Sequence, residues 1–193
     1  MRCLLCSDWS IAEHICKRCQ KEFLTPKITH KKFYKDIELI SFYSYKEIEQ
    51  LLKLKHTPLG FHVYKLLAKL TFEKFAQNFD EQTIFRSIAI DENVKSGYSH
   101  TAILNRALRC STIKPAYNKL RQKSDFHYSE HNLEWRKKHP RDFYINSFKG
   151  DKIILVDDIK TTGLTLKSAI NILEKSKKEV QFVMTLADVR NLT

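Results

Sequence analysis

Near the C-terminal end of the sequence an apolar run, Ile153-Ile154-Leu155-Val156, ends in two acids, Asp157 and Asp158. Ile159-Lys160-Thr161-Thr162-Gly163-Leu164-Thr165 follows. The run reads as a strand, and the residues after the acids as a hydroxyl-rich turn that opens a helix. In open α/β sheets ligands bind beyond the carboxyl ends of the strands, where Asp157 and Asp158 would emerge. A turn leading into a helix offers free backbone N–H groups and the positive end of the helix dipole, so it suits an anion. The hydroxyls of Thr161, Thr162 and Thr165 add donors, and Gly163, one of four glycines in the chain, lets the backbone close around a phosphate. Two carboxylates beside that cradle would repel the phosphate unless they held something else, and sugar hydroxyls or a hydrated Mg2+ meet that need. The ligand expected is therefore a sugar 5′-phosphate. The plainer alternative for the same residues is a structural turn whose acids cap the helix.

A second group of chemistry-bearing residues lies at the other end of the chain. Four of the five cysteines fall within the first nineteen residues, spaced Cys3-x2-Cys6-x9-Cys16-x2-Cys19. Two such hooks each offer a pair of thiolates and together complete a tetrahedral, closed zinc shell, which is structural rather than catalytic. Arg2, Lys17, Arg18 and Lys21 would offset its negative charge. Four unligated thiols are the alternative, and His14 is a weaker stand-in ligand. Cys110 stands apart and reads as a packed thiol.

The elements that must position these groups follow from hydrophobic periodicity. Residues 27–35 are a Lys-rich connector. Strands are expected over 37–45, 84–90, 152–156 and 180–186. Helices are expected over 47–55, 61–79, 99–110 and 164–175, with a break at Thr57-Pro58-Leu59-Gly60. Strands alternating with helices predict an α/β fold with a parallel, doubly wound sheet. Residues 114–141 are polar, basic and aromatic without clear period. The division expected is a small N-terminal cysteine module with its connector, 1–35, and a larger domain, 36–193.

The 193 residues carry 34 Lys plus Arg against 22 Asp plus Glu, a net charge of +12. The excess is concentrated: residues 1–35 hold eight basic and three acidic residues, and residues 95–141 hold eleven and three. Such clustering suits polyanionic partners. Within the central stretch Lys119, Arg121, Lys123, Arg136, Lys137, Lys138 and Arg141 alternate with Tyr117, Phe126, Tyr128 and Trp135. Cations interleaved with rings suit single-stranded nucleic acid, although a solvated surface would look the same. His127, His131 and His139 lack a set of partner ligands. No apolar run reaches the length of a membrane span, and the first residues carry no apolar signal core. A cytoplasmic protein is expected, with peripheral association at the inner face of the membrane through the basic N-terminal segment as a further option.

The string Val156–Thr165 resembles the 5-phosphoribosyl-1-pyrophosphate (PRPP) binding motif of type I phosphoribosyltransferases: an apolar strand, two acids and a Thr-Thr-Gly-x-Thr turn. The resemblance implies that Asp157 and Asp158 hold the ribose 2′ and 3′ hydroxyls. It also implies that Lys160, Thr161, Thr162, Gly163, Leu164 and Thr165 hold the 5′-phosphate, largely through backbone N–H groups. Mg2+ would bridge the pyrophosphate and the ribose, and part of residues 114–141 would form a lid over PRPP. With a four-cysteine module ahead of it, the order resembles the ComF family of competence-associated, phosphoribosyltransferase-like proteins with an N-terminal zinc finger. Tyr43 or Tyr45, Leu51–Lys55 and Gly60, then Gly97-Tyr98-Ser99-His100 and Arg136–Phe143, are similar to further landmarks of that family. The sequence departs from it at Ile88-Ala89-Ile90-Asp91, where a Val-Pro-Val-Pro run is usual, and at Ser96, beside Lys95, where an Arg is usual. Asp91 and Glu92 there are either Mg2+-orienting acids or plain surface acids.

Three functions are thereby in view. One is a PRPP-binding protein of the ComF type that acts in natural transformation, passing single-stranded DNA into the cytoplasm together with other DNA-uptake proteins. Another is a Mg2+-dependent phosphoribosyltransferase with an unknown acceptor. The last is a PRPP sensor that binds without turnover.

Overall fold

Alternating side chains on the central strands send apolar residues to both faces of one sheet, so each face must be covered. The computed structural model describes residues 1–11, 13–91, 97–123, 134–135 and 141–189. Its strands are β1 (Thr29–Tyr34), β2 (Ile37–Ser44), β3 (Phe85–Asp91), β4 (Ile113–Gln122), β5 (Phe143–Ile145), β6 (Lys152–Lys160) and β7 (Glu179–Asp188). They form one seven-stranded sheet in the order β1-β2-β7-β6-β3-β4-β5. The inner pairs are parallel, and the edge pairs β1–β2 and β4–β5 are antiparallel. The helices are α1 (Lys17–Phe23), α2 (Tyr45–Leu52), α3 (Pro58–Ala68), α4 (Lys74–Gln77), α5 (His100–Ala107) and α6 (Leu164–Lys175). The fold is thus α/β, a mainly parallel sheet flanked by helices with a four-cysteine cluster at its N-terminal end.

Strand β6 shows how the sequence divides the core. Ile154 and Val156 pack with Ile48, Leu51, Tyr64, Leu67, Phe72 and Leu104 from α2, α3, the turn after α3 and α5. Ile153 and Leu155 face the other way, against Leu166, Ala169, Ile170 and Leu173 of α6. The first cluster also contains Cys3, Ile15, Cys19 and Leu24, so the cysteine segment closes the helical face of the sheet.

Several elements depart from the expected pattern. Residues 29–34, expected as part of a connector, form edge strand β1. Its side chains are all exposed or half-buried, so no alternation betrays it. The hairpin to β2 turns at Lys35 and Asp36, both left-handed at φ 51° and 62° without a glycine, which removes the usual hairpin signal. Thr57–Gly60, expected as a break, starts a helix instead: Thr57 Oγ1 accepts the Gly60 N–H at 3.2 Å and Pro58 occupies the first turn. Gly60 itself is required by close approach, since a side chain there would collide with the Leu54 carbonyl and the Tyr98 hydroxyl. The helix expected over 61–79 is α3, a π-helical turn at Lys69–Glu73 and α4 in succession. Residues 113–122, where no period was legible, are strand β4. Strand β6 does not stop at Val156 but runs through both acids to Lys160.

Candidate functional site

The four N-terminal cysteines come together. The Sγ atoms of Cys3, Cys6, Cys16 and Cys19 all lie within 4.8 Å of one another, and Cys6 and Cys16 are 3.7 Å apart. That spacing matches a tetrahedral thiolate shell, in which sulfurs about 2.3 Å from zinc stand roughly 3.8 Å from each other. A short antiparallel bridge, Arg2 to Trp9, and a left-handed Ser7 (φ 62°) fold the first hook back. Cys16 and Cys19 are placed by the start of α1. The N–H groups of Leu5 and Cys16 point at Cys3 Sγ, at 3.5 and 3.4 Å. Burial pushes the Cys3 thiol up, but the N–H groups of Cys16, Cys6 and Leu5 outweigh it and bring it down to about 6. Cys19 is pushed up by burial and by the other three sulfurs. Crowded thiolates repel, and a divalent cation at their centre relieves that repulsion.

The acids at the end of β6 point in opposite directions, as neighbours on a strand must. Asp157, half-buried, accepts the Asp158 N–H at 2.9 Å. Asp158 is buried, and its Oδ2 gathers Lys55 Nζ at 3.3 Å, Tyr64 Oη at 3.3 Å and His100 Nε2 at 3.2 Å. These come from the turn after α2, from α3 and from the first residue of α5. Burial pushes the Asp158 carboxyl up, but the Lys55 ammonium and the His100 ring overcome this and hold it well below the usual carboxylate range. Burial and the Asp158 charge push Tyr64 up, so it remains a donor. His56 packs edge-on to His100, ring centroids 6.0 Å apart.

The turn that follows leads directly into α6. Gly163 is left-handed (φ 77°) and precedes the first residue of α6, a helix of twelve residues. Thr162 Oγ1 lies 3.4 Å from the Leu164 N–H. Thr161 is exposed, while Thr162, Leu164 and Thr165 are half-buried. The turn is held from below and from the side. Lys160 is buried and donates to Asp188 Oδ1 at 2.9 Å, and Lys31 Nζ approaches Asp188 Oδ2 at 3.9 Å. Phe33 of β1 lies against Gly163, where a Cβ would come within 2.5 Å of its ring. Lys167 sits over the rings of Phe33 and Tyr34, at 6.0 and 5.3 Å. Lys35 ties the hairpin tip to Asn171 and Glu174 of α6.

Asp157, Asp158 and residues 160–165, expected to form one site, are contiguous at the end of β6. Tyr64 at the acids, Phe33 at the turn, and Lys31 with Asp188 beside Lys160 were not expected there. These arrive from distant segments, and no local spacing announces them. Of the basic central stretch, Lys119 donates to the Ser147 carbonyl at 2.9 Å and Lys123 pairs with Asp142 at 3.0 Å. Arg121 pairs across the β4–β5 ladder with Tyr144. Arg136, Lys137 and Lys138 lie outside the described residues, as do Glu92, Lys95, Ser96 and the three histidines of that stretch; for Asp91 the backbone alone is described.

No protein-family model matches the sequence, and no curated protein matches it. Among solved structures the chain is similar to a hypoxanthine phosphoribosyltransferase from Staphylococcus aureus, at 15% identity and a TM-score of 0.41 over 65% of this chain and 62% of that one. It is similar to the hypoxanthine phosphoribosyltransferase of Trypanosoma cruzi at 17% identity and a TM-score of 0.39, over 66% of each chain. It is also similar to orotate phosphoribosyltransferase from Aeropyrum pernix at 15% identity and a TM-score of 0.39, over 89% of this chain and 80% of that one. The chain thus spans less than two thirds of the hypoxanthine enzymes. At such identities and TM-scores the likeness carries no functional inference, and the fold stands on its strand order and register. No helix among the described residues is long and apolar enough to cross a membrane.

Proposed function

We propose that this chain binds PRPP at the carboxyl end of β6. The observation that carries the reading is the turn Lys160–Thr165, whose left-handed Gly163 presents the N-terminus of α6 beyond two strand-end acids in a parallel sheet. The backbone N–H groups of this turn and the Thr161, Thr162 and Thr165 hydroxyls take the 5′-phosphate. Asp157 takes the ribose hydroxyls. Asp158, engaged by Lys55, Tyr64 and His100, orients the strand end from beneath. Among the described residues only the four cysteines form a ready cluster of metal-ligating side chains. Mg2+ would therefore be held by Asp157 together with the ligand's own diphosphate oxygens, which suits an ion that keeps much of its water. It would neutralise charge on the departing diphosphate. The cysteine cluster takes one structural Zn2+.

The sequence resemblance extends this reading to a ComF-type role in natural transformation, with single-stranded DNA as a partner and the basic excess of residues 95–141 as its support. The engagement of Asp158 by Lys55, Tyr64 and His100 favours PRPP binding without rapid turnover, because that carboxylate is committed to protein partners rather than to the ribose. Calorimetry with PRPP, with and without Mg2+, tests the core of the proposal. Binding that is enhanced by Mg2+ and weakened at least about tenfold in Asp157→Ala or Thr162→Val is expected. Folded protein that ignores PRPP would sink it. Release of diphosphate on adding candidate amine acceptors separates enzyme from sensor. Loss of transformation on deleting the protein tests the cellular role.

A further inference from the structure

A second concavity lies away from the turn at Gly163, between α5 and β4. It is an open groove of about 620 Å3 whose lining includes Tyr98, Ser99, Ile103, Arg106, Arg109 and Tyr117. None of these residues belongs to the strand-end acids or the turn that leads into α6. Its volume falls in the range of small-molecule sites.

The walls are built rather than accidental. Tyr98 is pinned: its hydroxyl donates to the Lys55 carbonyl at 2.6 Å, with the Thr57 carbonyl also 3.1 Å from the oxygen, and its ring meets Phe61 edge-on at 5.7 Å. Opposite, β4 breaks its ladder with β3. One paired step of β3, Ile88 to Ile90, is matched by Ala116 to Leu120, so β4 carries two extra residues there. Asn118 in this bulge is left-handed at φ 54°, a strained conformation that bulges beside functional sites often hold. The bulge turns Tyr117 outward to the groove, where it is 39% exposed. Arg106 and Arg109, three residues apart, expose their side chains to the groove, and among the described residues neither guanidinium has an ion-pair partner. A cation serving the C-terminal dipole of α5 would need neither the second arginine nor the aromatic walls.

Two flat rings and two exposed planar cations around one cavity select a ligand with a planar ring and a phosphate. We infer that this groove binds a free nucleotide, with its base against Tyr117 and Tyr98 and its phosphate on Arg106 and Arg109. The inference stands independently of PRPP binding at β6.

Calorimetry on the full chain with adenosine 5′-monophosphate, adenosine and inorganic phosphate tests it. The monophosphate is expected to bind at least about tenfold more tightly than either half. Arg106→Gln/Arg109→Gln should weaken it about tenfold or more. Tyr117→Ala should weaken the monophosphate several-fold while leaving inorganic phosphate unchanged. All these changes are on the surface, so melting curves should match the wild type. Asp157→Ala should leave this binding intact. Absence of binding overturns the proposal. So does binding that survives the arginine changes and is lost in Asp157→Ala. Binding confined to an oligodeoxythymidylate would also overturn it, assigning the groove to a single strand instead of a nucleotide.

Discussion

Asp158 is the residue on which the site turns. A carboxylate so deeply buried is tolerated because an ammonium, a phenol and an imidazole converge on one oxygen. Removing its charge leaves Lys55 and His100 facing a site built for an anion, so Asp158→Asn should cost about 3 kcal/mol of stability in urea unfolding. Because the folded carboxyl titrates well below its unfolded value of about 3.9, that contribution is complete above this pH and fades as pH falls through it. The stability gap between wild type and Asp158→Asn should therefore be full near pH 7 and narrow below about pH 4; a constant gap would contradict the assignment. Gly163 supplies a second residue-scale test. Its left-handed φ and the Phe33 ring both exclude a side chain. Gly163→Ala should lose about 1–2 kcal/mol from φ alone, with more from the clash. Phe33→Ala in the Gly163→Ala background should recover the clash and leave the φ cost, a non-additivity that chemical denaturation reads directly.

At the scale of elements, α6 links sequence to site most plainly. Its apolar residues recur at helical spacing and its start is marked by the Thr/Gly turn, so its range was legible residue for residue, Leu164–Lys175. It ends with the Lys178 N–H on the Leu173 carbonyl and the Lys177 N–H on the Glu174 carbonyl. That pair of bonds demands a left-handed residue at Lys177, φ 58°. Lys177→Gly should thus raise stability by about 1 kcal/mol, measurable as a rise in the denaturation midpoint. The illegible elements were the two edge strands, β1 and β5, and the strand β4 next to the edge. Strand β1 buries no residue fully, β5 is only three residues long, and β4 is interrupted by Pro115 and the Asn118 bulge. Periodicity reports burial, and edge strands that bury little carry little of it.

For the molecule as a whole, the cysteine segment is part of the core rather than an appendage hung on a linker. Ile15, Cys19 and Leu24 are essentially inaccessible and pack in the same cluster as α2, α3 and α5. With one Zn2+ bound per chain, chelation should lower the thermal midpoint by about 10 °C, as expected for roughly 3 kcal/mol at this chain length. The transition should stay single, because module and sheet share a core. Cys16→Ser should reproduce the loss. Metal analysis that finds no zinc in folded protein, with four titratable N-terminal thiols, would remove this claim.

Local chemistry was written in the sequence by itself: two thiolate hooks at zinc spacing, an apolar strand ending in acids, a glycine turn opening a helix, and the strand–helix alternation of an α/β fold. Each of these depends on neighbours within a few residues, which is the range over which backbone geometry and periodicity act. Only the tertiary structure decided the rest. It separated two adjacent acids, leaving Asp157 half-exposed and burying Asp158 among Lys55, Tyr64 and His100. It laid Phe33 against a turn some 130 residues away in sequence, set Lys31 near Asp188, and brought Tyr98 and Tyr117 to one groove. Such contacts are set by strand order and by the packing of helices on a shared sheet, and no spacing along the chain encodes which distant side chains a buried charge will find.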